Sequence, residues 1–171
     1  MKIAVTHGEV GAGAGRDEQD VLTQAAFVSQ GLAALGHEPV AVPVSLNLAA
    51  AVQALASLRP AMVFNLVETI AGKGNLIHLF PALLDALKIP YTGAGTDAMF
   101  LTSNKLLAKR WLAAAGLPTP AWFTAQGTPC GKVSPLHEEL PVEGPWLIKS
   151  VWEHASIGLD EDSVLFGADR K

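Results

Sequence analysis

The sequence predicts an α/β protein: a parallel sheet with helices on its faces, followed by a smaller second unit. Three observations carry this. Strand and helix signals alternate over the first hundred residues, half of the 171 residues are apolar, and from Gly116 onward proline and glycine recur while apolar periodicity weakens. Lys2 to Thr6 reads as the first strand. Val21, Ala25, Val28, Leu32 and Leu35 follow helical spacing, with Asp17 placed as N-cap and Gly36 as terminator. Glu38 to Val44 reads as a second strand, Leu48 to Leu58 as an alanine-rich helix stopped before Pro60, and Met62 to Val67 as a third, fully buried strand. Leu76, Phe80, Leu83 and Leu87 mark a further helical stripe, and Ile89 to Thr92 returns to the sheet.

Gly93 to Gly95 turns the chain, and Thr96 caps a short helix through Ala98 to Leu101. A second helix follows, with Ser103 as cap, residues 104–115 as body, and Gly116 with Pro118 as stop. The boundary between the two units is expected near residue 100. Beyond it Trp122 reads as part of a short strand, Trp146 to Val151 as a strand, Glu153 to Gly158 as a small-residue loop, and the last dozen residues as about one helical turn. So few elements make a poor core of their own, so the second unit reads as incomplete.

A net charge of −4 with scattered Lys and Arg gives no basic footprint for nucleic acid. No apolar run reaches the roughly 18 to 20 residues that a membrane span needs, and the start MKIAVTHGE turns polar too soon for a signal peptide, so a cytoplasmic location without membrane contact is expected. Cys130 is the single cysteine, which excludes an intrachain disulfide and a multi-cysteine zinc site.

Two lysines invite a chemical explanation. Lys105 falls near the second position of its helix, where the backbone dipole disfavours a cation by roughly 0.3 to 1 kcal/mol; an anion facing both its ammonium and the free amides of the helix start would reverse that cost. Lys149 interrupts the apolar run LIKSV, so it either faces water from an edge strand or points at a negatively charged ligand. Lys109, one turn beyond Lys105, reads as solvated. Asp160, Glu161 and Asp162 read as a solvated helix start.

Taken together, PALLDALKIPYTGAGTDAMFLTSNKLLAKRWLAAAGLPTP and WLIKSVWEHASIGL resemble the ATP-grasp superfamily, specifically D-alanine–D-alanine ligases and their close relatives, and the resemblance spans essentially the whole chain. It implies a Rossmann-like N-terminal domain over residues 1–100, followed by an incomplete ATP-grasp lobe over residues 101–171. The activity implied is ATP-dependent joining of a carboxylate to an amine through an acyl phosphate. By the same resemblance Lys105 and Lys149 contact the nucleotide, and Glu153, Ala155, Ser156 and Ile157 belong to the loop that closes over its phosphates. Asp20, with Glu18 beside it, matches the acidic position that recognises the amino group of the first substrate amino acid; carboxylates in a first helical turn also stabilise the dipole.

ATP and Mg²⁺ are the implied cofactors, the metal ligands being expected beyond the end of the chain, and an amino-acid substrate and a homodimer are the implied partners. Some features depart from the family pattern. GEVGAGAG and NLVETIAGKGN replace its glycine-rich and His-Gly signatures, and His154 and Ala155 replace a glycine and a serine of the loop. They leave another amino acid or a small peptide open as substrate. Because the chain stops soon after the loop, the expectation is that it does not turn over alone. The rival reading is a non-catalytic small-molecule-binding or dimerisation domain.

Overall fold

The apolar run after Met1 becomes the middle strand of a sheet. β1 (Lys2–Gly8) pairs in parallel with β2 (Glu38–Val44) on one side and β3 (Met62–Leu66) on the other, giving the order β2-β1-β3. The computed structural model describes residues 1–11, 16–122, 145–153 and 159–165. The chain divides into two compact units, Met1–Phe100 and Leu101–Lys171.

Having a neighbour on each side, β1 is the strand buried from Ile3 to His7; in β3 only Val63 is fully buried. This corrects the expectation of a fully buried third strand, and the reason is topological: among the described residues β3 has a strand on one edge only. Its other edge carries one bridge, at Val63 and Tyr91, where Val63 donates to the Pro90 carbonyl and Thr92 donates back to Val63, and beside it the Asn65 amide donates to the Thr92 hydroxyl at 3.0 Å. The return expected over Ile89 to Thr92 is therefore a single bridge.

The free edge of β2 is protected by its composition. Glu38 donates to the Met1 carbonyl and Val44 accepts from Glu9, so the even-numbered residues face β1 and Pro39, Ala41 and Pro43 face outward. The two prolines remove two of the three outward donors, which blunts pairing with another strand.

α1 (Arg16–Ala34) packs against β1 and β2, and α2 (Leu48–Leu58) against β2. Ala51 and Leu55 of α2 meet Ala4, Val42, Val44 and Val63, together with Phe80 and Leu84 of α3 (Leu79–Leu87), in the principal core. Ile3 and Val5, displaced by one residue from Ala4, point to the opposite sheet face. Asp17 lies inside α1 and is not its N-cap. The stripe expected over Leu76, Phe80, Leu83 and Leu87 is also shifted: Leu76 closes a 3-10 turn, Phe80, Pro81 and Leu84 are buried, and Leu87 is exposed.

Gly36 ends α1 at φ +80°, with His37 donating to Leu32 and Gly36 to Ala33, the double closure that a left-handed residue permits. Lys88 does the same work after α3 at φ +55°, with Ile89 donating to Leu84. A side chain with a Cβ is strained there, so Lys88→Gly should raise stability by about 0.5–1 kcal/mol in urea titration. A loss of stability would contradict the assigned backbone.

The turn after Tyr91 is tied down by one carboxylate. Asp85 accepts from the Tyr91 hydroxyl at 2.9 Å and from the Thr96 hydroxyl at 2.6 Å. Burial, then the bond to Asp85 and its charge, push the Tyr91 phenol above its ordinary value. The stability this gives is present below the unfolded value and lost as pH rises through the raised one. Thr96 begins α4 (Thr96–Ser103), which α5 (Lys105–Ala114) follows after one residue.

In the second unit β4 (Trp146–Leu147) pairs antiparallel with β5 (Val164–Leu165). The strand expected to run to Val151 stops at Leu147, because in this register the next residues it would pair with, Glu161–Ser163, form a 3-10 turn, and Trp122 belongs to no strand. Asp160 caps the 3-10 turn Glu161–Ser163 through a reciprocal capping box with Ser163, and Glu161 and Asp162 are exposed. Among the described residues no helix is long and apolar enough to cross a membrane.

Candidate functional site

The site is built at the start of α5. Asn104, rather than Ser103, is the cap: its side-chain oxygen accepts from the amides of Leu106 and Leu107, both at 3.0 Å. Lys105 thereby becomes the first helical residue, and its own amide donates to the Val151 carbonyl at 3.0 Å. The amides of the first turn are thus already satisfied, which corrects the expectation that they would face an anion. Any anion held here is held by side chains.

Lys105 is half-buried, and its ammonium donates to the Glu153 carbonyl. Backbone and side chain of one residue therefore both grip the segment 151–153, just beyond Lys149. Burial lowers the Lys105 pKa, the Lys149 charge lowers it further, and the Glu153 carboxylate opposes both. Lys149 is exposed and lies beyond the end of β4 instead of within a strand.

Lys109 was expected to be solvated, and the structure overturns this. Its side chain is half-buried, donates to the Thr119 hydroxyl at 3.1 Å and the Pro120 carbonyl at 2.7 Å, and lies 5.2 Å from the centre of the Trp122 ring. Burial and then the Lys149 charge lower its pKa. Its spacing of four from Lys105 was the available sequence signal; the missing information was that residues 119–122 fold back onto that helix face.

Three ammonium groups therefore share one region of the second unit. Among the described residues none has a carboxylate within ion-pair distance. Lysines that repel one another, with the Glu153 charge only partly offsetting this at Lys105, are poised for an anion, whose binding would offset the lowering at Lys105 and Lys109. Such a set fits a phosphate chain. Among the described residues no group of three His, Cys, Asp or Glu side chains could hold a metal ion, so the described residues do not make a magnesium site.

Of the other candidates, Asp20 and Glu18 lie on α1 of the first unit, Asp20 with an exposed side chain. Ala155, Ser156 and Ile157 lie outside the described residues, as do His154 and Cys130.

No family model matches the chain. It is 32% identical over 129 residues to a D-alanine–D-alanine ligase of Moorella thermoacetica, covering 74% of this chain and 38% of that protein. It is 32% identical over 160 residues to a D-alanine–D-alanine ligase of Gluconobacter oxydans, covering 94% of this chain and 48% of that protein. A crystal structure of D-alanine–D-alanine ligase from Bacillus anthracis complexed with ATP shares the fold, with a TM-score of 0.65 and 20% identity over 97% of this chain and 50% of that one. The chain thus spans about half the length, or less, of the curated relatives it matches. Sequence similarity along most of the chain, together with the common fold, shows that it belongs to the ATP-grasp superfamily as a relative of the D-alanine–D-alanine ligases, matching part of their length.

Proposed function

We propose that the chain supplies the amino-acid-facing sheet domain and part of the ATP-phosphate site of an ATP-dependent carboxylate–amine ligase. The observation that carries this is the group of lysines, Lys105, Lys109 and Lys149, none of which has a carboxylate within ion-pair distance among the described residues. In the reaction proposed for the whole protein, the terminal phosphate of ATP passes to a substrate carboxylate, and an amine then displaces phosphate from the acyl phosphate to form the amide. Charge on the phosphate oxygens must be neutralised throughout, and Lys105 and Lys149 would do so by direct hydrogen bonds.

Asp20, with Glu18 as the alternative, is proposed to receive the substrate's amino group, which a carboxylate attracts. D-alanine is the first substrate to try, and the departures at His154 and Ala155 make a panel of other amino acids the necessary comparison. ADP release by the whole protein, dependent on one of these amino acids, would identify the substrate; no release with D-alanine would remove that substrate. A cytoplasmic location and a homodimer through the first unit belong to the same reading, and mass in solution checks the dimer.

The direct test on this chain is calorimetry with ATP. Lys149→Ala is expected to weaken binding by roughly tenfold or more, since a hydrogen bond to a charged group contributes about 1.5–3 kcal/mol. Unchanged affinity would take Lys149 out of the site.

A further inference from the structure

We propose that Lys109 is a third cation of the phosphate site, a positioning residue that acts as a fixed charge while Lys105 and Lys149 make the direct contacts. This rests on the phosphate reading given above. An ammonium has three N–H donors. In Lys109 two are engaged by the Thr119 hydroxyl and the Pro120 carbonyl, and the cation lies against the Trp122 ring. All three partners are neutral. The side chain is therefore immobilised without being neutralised, an arrangement in which a charge is kept for its field.

The placement follows from the helix. Lys105 and Lys109 are one turn apart on α5 and share a face, and Lys105 is tied through its amide and its ammonium to residues 151 and 153. Lys149 comes two residues before the first of these. An anion received by Lys105 and Lys149 thus lies beside a lysine that cannot turn away from it. The repulsion that Lys149 exerts on Lys109 agrees with this arrangement. With two of its three donors occupied and its position fixed, Lys109 acts chiefly through its charge, so its effect should grow with the charge of the ligand and shrink with salt. A polyphosphate is the class of ligand that uses it.

The experiment titrates ATP, AMP and inorganic tripolyphosphate into the wild type, Lys109→Met, Lys109→Gln and Lys109→Arg, at low and at physiological ionic strength. Lys109→Gln keeps a donor for Thr119 and so guards against a packing defect. The neutral variants should bind ATP and tripolyphosphate about threefold to tenfold more weakly at low salt, with a smaller loss at physiological salt. They should change AMP binding least, and Lys109→Arg should keep most of the affinity. Neutral variants that bind like the wild type, or that weaken by a factor independent of salt and of ligand charge, would reduce Lys109 to a structural anchor and overturn the inference alone. A wild type that binds neither ATP nor tripolyphosphate would overturn the phosphate reading and this inference with it.

Discussion

Replacing Phe80 by alanine is expected to lower the unfolding free energy by about 3–5 kcal/mol, the largest single effect of any substitution considered for the first unit. Phe80 is 0% exposed and packs in the cluster that joins α2, α3 and the sheet through Leu55, Leu84 and Val63. Truncation removes the aromatic ring's transfer energy and leaves a cavity that the rigid strands below cannot collapse into. Stabilities of single domains are typically about 5–15 kcal/mol, so the variant should unfold at much lower urea concentration. Leu87→Ala supplies the contrast. Both residues belong to one apolar stripe in the sequence, yet Leu87 is 37% exposed and its truncation should cost well under half as much. Equal losses at the two positions would mean that α3 is rotated from its assigned orientation.

Lys105→Met should weaken ATP binding on the order of 10- to 100-fold while leaving the fold intact. The lower bound reflects a lost charge-assisted hydrogen bond, and the upper one includes the partial anchoring of the segment that carries Lys149. The pH dependence gives a second readout. Burial, with the nearby Lys149 charge, holds the Lys105 pKa below its ordinary 10.5. The unfolded chain therefore binds the proton more tightly, and between the lowered value and 10.5 stability rises with pH.

Anion affinity must move the other way. It needs the charged form, so it should fall as pH rises through the lowered pKa of Lys105, earlier than an ordinary lysine would allow. Binding in that window should take up protons, seen as a buffer-dependent heat in calorimetry. Lys105→Met should lose the part of this dependence that belongs to Lys105. A methionine variant with unchanged affinity and an unchanged pH profile would place the phosphates elsewhere.

Much of the site was legible as residue types in a pattern, and little of it as geometry. Lys105 stood out because a cation at a helix start opposes the dipole, and Lys149 because it interrupts an apolar run. Lys109 was only faintly legible as a site residue: its spacing of four puts it on the Lys105 face, but that does not separate it from a lysine bathed in water. Its identity depends on Thr119, Pro120 and Trp122 returning to the helix. The cap shows the same division. Ser103 and Asn104 are both good capping residues, and only the observed backbone, extended at Asn104 with its oxygen on two amides, chooses between them.

By itself the sequence determined the α/β class, the order of strands and helices in the first hundred residues, the helix stops at Gly36 and Gly116, and the likeness to the ligase family. Each of these is written in short-range signals: periodicity, caps, left-handed glycines and motifs. Tertiary structure alone decided that β1 is the buried middle strand, that Leu87 leaves the core, that β4 ends before Lys149, and that three lysines share one region. These depend on which strand lies beside which and on contacts across tens of residues, as between Lys105 and Glu153. Burial and electrostatic fields are sums over neighbours in space, and sequence spacing does not name those neighbours.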